Sequence, residues 1–346
     1  MNIMVSFIIP AYNAACYIRK CLDSFLYQNV QEKVEVINVD DGSMDQTAQI
    51  AREYVKQNPK MYRLLQKSNG GHGSAINAGT KSAAGKYFKV VDADDWVMTE
   101  HLTAFVQYLE SCNADVVLTP YHILDQTRGE RILQKVYLTD YGCAYSLEEI
   151  CRKWKSFDRC TTFHGITYRT DFYNGHRHVL PHRIFYEDQE YASIPFCHAR
   201  KIAFFELAVY QYRIGRRGQS VDAENQVKRS GDLERVIADI LRYWRDRADV
   251  TVWGKLYLRL KLEDSVLSYY RVQCITNPDK AVGRYRCNRL NARLYISAPA
   301  LYRQMRVKYS LYVLFSLLHV NETVYEKLIH SAVFRLLRHN HKIERE

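Results

Sequence analysis

The chain has nine cysteines but no CxxC pair. Cys16, Cys21, Cys112, Cys143, Cys151, Cys160, Cys197, Cys274 and Cys287 are odd in number and scattered. That pattern excludes a disulfide framework or a paired-cysteine zinc site and predicts free thiols in a reducing compartment. No stretch reaches the roughly 18 uninterrupted apolar residues that a spanning helix needs. The longest apolar stretch, Tyr309 to Val320, falls well short. The segment Met1 to Pro10 has no basic region ahead of its apolar residues, so no signal peptide is expected. Internal repeats and low-complexity segments are missing. So are acids in one place: between Arg284 and Lys308 there is no Asp or Glu among seven basic residues.

The 346 residues suffice for one large domain and a smaller one. Apolar residues at 47% and charged residues at 25% are ordinary for a soluble globular protein. The net charge of +11 is not spread evenly. Basic and acidic residues balance over 1–225, and the whole excess lies in 226–346. Such an asymmetry predicts a basic surface facing a polyanion, either lipid headgroups or nucleic acid.

Residues 1–120 alternate strand and helix signals. Strands are expected at Val5–Ile9, Val34–Val39, Met61–Gln66, Lys86–Val91 and Asp115–Thr119. Between them, Ile18, Cys21, Leu22, Phe25 and Leu26 recur at helical spacing, with Asn13 as the expected cap. Ser43 and Gln46 form a capping-box pattern ahead of a second helix. A loop Asn69-Gly70-Gly71-His72-Gly73 opens a third, and a fourth spans Glu100 to Ser111. Alternation with short loops predicts right-handed crossovers and a mainly parallel sheet. Ligands of such sheets bind at the carboxyl ends of the strands. Tyr12 and Asn13, Asp40 and Asp41, the glycine loop, and Asp92, Asp94 and Asp95 all follow strands, so they are expected at one edge. In KYFKVVDADDW, Asp92 and Asp94 project to the same side of an extended chain. Carboxylates converging in this way suit Mg²⁺ or Mn²⁺ rather than a mere acidic turn.

Residues 120–225 are less regular. Strands are expected at Arg131–Leu138 and Thr161–Tyr168, a helix at Leu147–Lys155, and a strand pair at Lys201–Phe205 and Leu207–Arg213. A second acidic cluster, Tyr186-Glu187-Asp188-Gln189-Glu190-Tyr191, leads into a helix. Beyond residue 225 the pattern is helical, at about 226–247, 250–275, 278–295, 299–318 and 322–339. Arg284, Arg286, Arg289 and Arg293 interleave with Tyr285, Leu290, Leu294, Tyr295 and Ile296, a basic amphipathic composition of the kind that lies on membranes. Nucleic acid would use the same charge, but no nucleic-acid module accompanies it.

Four segments in this order resemble the family 2 glycosyltransferases, inverting enzymes with a GT-A fold. They are VSFIIPAYNAACYIRKCLDSFLYQ, VEVINVDDGSMDQT, SNGGHGSAINAGTKSAAGKYFKVVDADDW and YEDQEY. The resemblance covers about residues 4–220 and implies a catalytic domain over 1–225, with a nucleotide-sugar half at 1–120 and an acceptor half at 121–225. A basic helical domain over 226–346 follows. It implies that Pro10, Ala11 and Tyr12 line the nucleobase, with uridine the expected base, that Asp41 accepts a hydrogen bond from it, and that Asp40 supports Asp41. It implies that Asn69, Gly70 and Asn77 also bind the donor. Asp92-Ala93-Asp94 matches the DxD element, in which Asp94 or Asp95 holds the cation and Asp92 braces ribose or phosphate. Asp188 matches the general base, with Glu187 its competitor. Many members carry Arg-Asn where this chain has Ile76-Asn77. Phosphate contacts are therefore expected from Lys67 or from Arg216 and Arg217, in a loop that also holds Gln219. His164 is expected as a packed residue, and His72 as the better active-site histidine.

The implied function is transfer of a sugar from a nucleotide-diphosphate donor to a cell-surface glycan or lipid-linked saccharide, in the cytoplasm or on the inner face of its membrane. A sugar nucleotidylyltransferase would need a Gly-rich, Arg-bearing loop after strand one, where this chain has Pro10-Ala-Tyr-Asn-Ala. A non-catalytic glycan- or membrane-binding scaffold is the remaining alternative, and Asp94, Asp95 and Asp188 argue against it.

Overall fold

The computed structural model describes residues 3–26, 32–137, 141–216, 219 and 222–329. The chain divides into two compact units, residues 1–219 with 246–261, and residues 220–245 with 262–346.

The first unit is built on strands β1 (Val5–Ala11), β2 (Val34–Asp40), β3 (Tyr62–Gln66), β4 (Tyr87–Val90), β5 (Trp96–Val97) and β6 (Val116–Leu118). To these it adds β7 (Tyr121–Asp125), β8 (Glu130–Gln134), β9 (Ile166–Arg169), β10 (Ile202–Phe204) and β11 (Tyr210–Ile214). Seven of them form one sheet in the order β10-β6-β9-β4-β1-β2-β3. All its pairings are parallel except those of β9, which runs antiparallel to β4 and β6. Every residue of β1 and β2 is buried, as expected for strands covered on both faces.

The two covers have clear sequence causes. On one face the helix Ile18–Asp23 buries Ile18, Cys21 and Leu22, and Phe25 packs on Phe7 with ring centroids 4.8 Å apart. On the other, the helix His72–Ser82 approaches β1 through Gly79. A Cβ there would lie 2.3 Å from the Ile8 Cγ2 atom, so only glycine permits the approach. That close packing fixes the helix start, and with it His72, at the strand ends.

Several local expectations are corrected. Asn13 does not cap the first helix: it has φ 49° and its side-chain oxygen accepts from the Met44 N–H at 2.9 Å. Ser43 does not form a capping box with Gln46; its hydroxyl accepts from the Asn13 N–H at 3.0 Å. The two loops after β1 and β2 thus tie each other together instead of capping helices. The strand expected over Thr161–Tyr168 begins only at Ile166. The expected strand pair is split between sheets, since β10 pairs with β6 while β11 joins β5, β7 and β8 in a second, four-stranded sheet. That second sheet matters because β11 carries Tyr210 and Arg213 to the turn after β4.

The second unit is helical. Its core includes a hydrogen bond between the Tyr312 and Tyr325 hydroxyls at 2.7 Å, and partly exposed ion pairs join Arg271 to Glu322 and Glu326. The expected helix over 250–275 is an α-helix at Val252–Arg271 that widens into a π-turn at Val272–Thr276. Among the described residues, no helix is long and apolar enough to cross a membrane.

Candidate functional site

Because β1, β2 and β4 run parallel, the residues after them meet at one sheet edge. Pro10 and Ala11 end β1 buried, and the Tyr12 ring beyond them stands 48% exposed. Asp40 and Asp41 end β2 and are both buried. Asp40 accepts from the Ser43 N–H and the Gln66 side chain, each at 3.1 Å. Asp41 accepts from the N–H groups of Gly70 (3.0 Å) and Gly71 (2.7 Å) and from the Lys67 ammonium (2.5 Å). The glycine loop therefore folds over this carboxylate. Gly71 has φ +86°, and a Cβ on it would lie 2.8 Å from the Arg183 backbone nitrogen. Asn69 and Gly70 offer their carbonyls to Arg183, while Asn77 is buried and spends its amide on both backbone groups of Leu180 (2.9 and 3.0 Å). Asn77 thus holds the 180 segment in place.

The turn after β4 separates its three aspartates. Asp95 is 1% exposed and each of its oxygens accepts one hydrogen bond, from the Tyr210 hydroxyl at 2.7 Å and from the Arg213 N–H at 2.8 Å. The same hydroxyl accepts from the Asp92 N–H at 3.1 Å, so one tyrosine of β11 fixes both residues. Burial, followed by the charges of Asp92 and Asp94, pushes the Asp95 carboxyl well above the usual range. Asp94 instead pairs with Arg216, whose Nε lies 3.0 Å away and whose guanidinium rests on the Tyr17 ring at 4.3 Å. Ala93 between them is buried. Gln219 braces the Arg216 loop by donating to the Arg213 carbonyl at 2.7 Å, and Arg217 lies outside the described residues.

Sequence reasoning put the cation on Asp94 and Asp95. Among the described residues, the group whose donor atoms converge within 4.8 Å is Asp92, Asp95 and His164. His164 stacks on Tyr212 with ring centroids 4.0 Å apart, and its buried Nδ1 has no hydrogen-bond partner among the described residues. Burial lowers its pKa to about 4, so the ring is neutral at physiological pH, the form in which imidazole binds metal. Two carboxylates and a neutral, unpartnered imidazole nitrogen fit a divalent cation. Lys89 supports this arrangement from the interior of β4 by donating to the His164 and Ile166 carbonyls at 2.7 and 3.2 Å. Burial lowers its own pKa to about 7.

His72 joins this turn to the second acidic cluster. Its Nε2 lies 2.8 Å from Asp92 and its Nδ1 2.5 Å from Glu187. Burial disfavours charge on the ring, but Asp92 and Glu187 outweigh it and hold the imidazolium well above its ordinary pKa. Glu187 and Asp188 open the short helix Glu187–Tyr191 directly after Tyr186, which sits in the left-handed region at φ 68°. A non-glycine residue there stores backbone strain at the point that aims the acid pair. With Glu187 committed to His72, the half-buried Asp188 carboxylate has no side-chain partner among the described residues. Burial, then the charge of Glu187, raises its pKa to about 7.

The comparisons with known proteins bear on the family and the fold. The model of "Glycosyl transferase family 2" matches residues 6–171. That segment belongs to glycosyltransferase family 2. A similar relative is the uncharacterized glycosyltransferase EpsJ of Bacillus subtilis, 28% identical over 221 residues, or 61% of each chain. Glycosyltransferase GlyG of Streptococcus pneumoniae is 33% identical over 129 residues, 37% of this chain and 42% of that one. The chain thus spans about three-fifths and two-fifths of the lengths of these two relatives. Among solved structures, S. aureus TarS 1-349 in complex with UDP-GlcNAc superposes with a TM-score of 0.59 at 19% identity, covering 94% of this chain and 92% of that one. The mannosyltransferase PcManGT from Pyrobaculum calidifontis, in complex with GDP-Man and Mn2+, gives 0.51 at 17% identity, covering 92% and 87%. At these identities the likeness is one of fold: a GT-A-type sheet flanked by helices.

Sequence reasoning missed the clamp by Tyr210 and the role of Lys89, and it read His164 as packing. A lysine inside an otherwise apolar strand was the one available signal for Lys89. Tyr210 gave none, because its partners lie 115 positions or more away.

Proposed function

We propose that this chain is a metal-dependent, inverting glycosyltransferase whose catalytic domain lies within 1–225 and whose general base is Asp188. The observation that carries the reading is the division of labour around His72. On one side Asp92 joins Asp95 and His164 in a cation-fitting group, and on the other Glu187 is engaged while Asp188 has no side-chain partner among the described residues and a pKa of about 7. A base poised near neutral pH is what proton abstraction from a sugar hydroxyl requires.

The donor is a nucleotide-diphosphate sugar, with a UDP-linked one expected. Pro10, Ala11 and Tyr12 line its base and Asp41 accepts from it, backed by Asp40 and the Asn69-Gly70 loop. Mg²⁺ or Mn²⁺ held by Asp92, Asp95 and His164, with Asp94 beside them, would supply Lewis-acid stabilisation of the departing diphosphate. Arg216, now on Asp94, offers a forked donor for phosphate oxygens. Asp188 takes the proton of the acceptor hydroxyl as its oxygen bonds to the anomeric carbon. The bond from that carbon to the diphosphate oxygen breaks, and the electron pair leaves with the nucleotide. The acceptor is a cell-surface glycan or a lipid-linked saccharide reached at the cytoplasmic membrane face. The UDP-GlcNAc complex of TarS and the GDP-Man and Mn2+ complex of PcManGT support the donor class.

A thermal-shift screen of UDP- and GDP-sugars with Mg²⁺ and Mn²⁺ tests this reading, because a ligand stabilises in proportion to ln(1 + [L]/Kd). One donor class should stabilise the protein only with metal and lose its effect on chelation. Failure of every nucleotide sugar with both metals would sink the proposal.

A further inference from the structure

The second unit does not present its basic stretch as a free amphipathic helix. The helix Lys280–Ser297 buries Gly283, Cys287, Leu290, Asn291 and Leu294 in the core of that unit. A Cβ on Gly283 would lie 1.9 Å from the Gln273 carbonyl oxygen, so this helix is pinned in place. Four of the seven basic residues are also spent internally. Arg284 donates to Ser316 at 3.0 Å, Arg286 to Ser230 at 3.4 Å, Arg293 pairs with Glu234 at 2.8 Å, and Lys308 with Glu263 at 3.6 Å. Arg289, Arg303 and Arg306 are exposed and have no carboxylate partner among the described residues.

These three arginines lie on the two helices that flank the corner where the chain turns from that helix into Pro299–Leu317. Arg289 lies eight residues before the first ends, and Arg303 and Arg306 lie four and seven residues into the second. The same corner exposes large apolar side chains. Tyr295 is 63% exposed, Ile296 80% and Val307 76%, and the Tyr295 ring meets Tyr302 edge to face at 5.4 Å. Unpaired cations alone would suit any polyanion. Cations beside protruding tyrosine and isoleucine suit a bilayer, where apolar side chains enter the headgroup region and arginines meet lipid phosphates.

We propose that the corner formed by Arg289, Tyr295, Ile296, Arg303, Arg306 and Val307 docks on the surface of an anionic lipid bilayer. It extends the reading of a membrane-side acceptor but involves no turnover, so its failure leaves the transferase reading standing. Docking is peripheral and reversible, since the helices on both sides of the corner stay in the fold of the unit.

Co-sedimentation of the full chain with vesicles tests it. Vesicles of phosphatidylcholine containing phosphatidylglycerol should bind the protein, pure phosphatidylcholine should not, and high salt should release it. Each basic residue near such a surface is worth about fivefold in partitioning, so Arg303→Gln with Arg306→Gln should cost about 25-fold. Ile296→Asp should weaken binding at unchanged net basic charge on the arginines. A charge-matched control, Lys56→Gln with Lys60→Gln on the first unit, should bind as the parent does. Thermal melts of all variants should match the parent, because every changed residue is exposed. Absence of binding to anionic vesicles at low salt overturns the proposal, as does binding untouched by the corner substitutions. Tighter binding to a DNA duplex than to vesicles would also overturn it and reassign the corner to nucleic acid.

Discussion

His72 Nδ1 stands 2.5 Å from Glu187 Oε1, which ties the start of the glycine-loop helix to the start of the second acidic cluster 115 positions later. The other ring nitrogen reaches Asp92, so a single imidazolium lies between two carboxylates that would otherwise repel. It engages Glu187, which under the proposed mechanism leaves proton transfer to Asp188.

Replacing Asp188 would remove the proposed base and relieve a partly buried charge. Asp188→Asn should lower transfer by about 10² to 10⁴-fold while nucleotide-sugar affinity holds. Its raised folded pKa means the folded state keeps a proton that the unfolded chain releases, so Asp188 costs stability as pH rises from about 4 to about 7. Asp188→Asn should therefore melt higher than the parent at pH 8 and lose that advantage at pH 4. Activity of the parent should rise through pH 7 as Asp188 ionises. A flat pH–rate profile would remove the assignment.

Removing the bridging imidazolium leaves two carboxylates facing each other. His72→Ala should cost about 1.5–3 kcal/mol of stability, the typical worth of hydrogen bonds to charged groups, because the histidine and Asp92 are only partly buried. The folded pKa of His72 is raised, so its contribution is fully present below the unfolded value near 6.5 and is lost as pH climbs through the folded one. Combining His72→Ala with Glu187→Gln should recover part of the loss. Denaturant unfolding of the four-member cycle measures the coupling, and strict additivity would disprove it.

The cation group makes a prediction about a histidine. His164→Ala should weaken Mn²⁺-dependent stabilisation of the nucleotide complex about tenfold or more in Kd, a change of about 1.4 kcal/mol. Asp94→Asn should leave direct Mn²⁺ binding less affected than Asp92→Asn, because Asp94 faces Arg216. Calorimetric Mn²⁺ titration decides between them, and the reverse ranking would return the ion to Asp94.

The Tyr210 hydroxyl accepts from one residue of the turn and donates to another. Tyr210→Phe should destabilise the first unit by about 1–3 kcal/mol, because it leaves a buried carboxyl oxygen and an N–H without partners. The thermal midpoint measures the loss. A shift confined to metal affinity, with an unchanged midpoint, would contradict a structural clamp.

Much of this site was legible before folding. The alternation of strands and helices in a mainly parallel sheet, and hence the shared edge for Tyr12, Asp41 and Asp92, follows from hydrophobic periodicity and the chirality of crossovers. Periodicity could not foresee that Asn13 and Ser43 would bond across to each other's loops, since both types cap helices equally well in isolation. Nor could it divide the three aspartates among Tyr210, Arg216 and His72, whose contacts depend on how β11 and the glycine-loop helix pack.

The sequence by itself determined the parallel sheet, the acidic turn after β4, the second acid pair and the basic bias of the C-terminal third, because each is written in local residue types and their period. Only the tertiary structure decided that Asp95 is buried, that Glu187 is engaged, and that, among the described residues, Asp188 and three arginines of the basic stretch have no side-chain partner. Burial and pairing set whether a carboxylate or guanidinium is available for chemistry, and both arise from contacts between positions far apart in the chain.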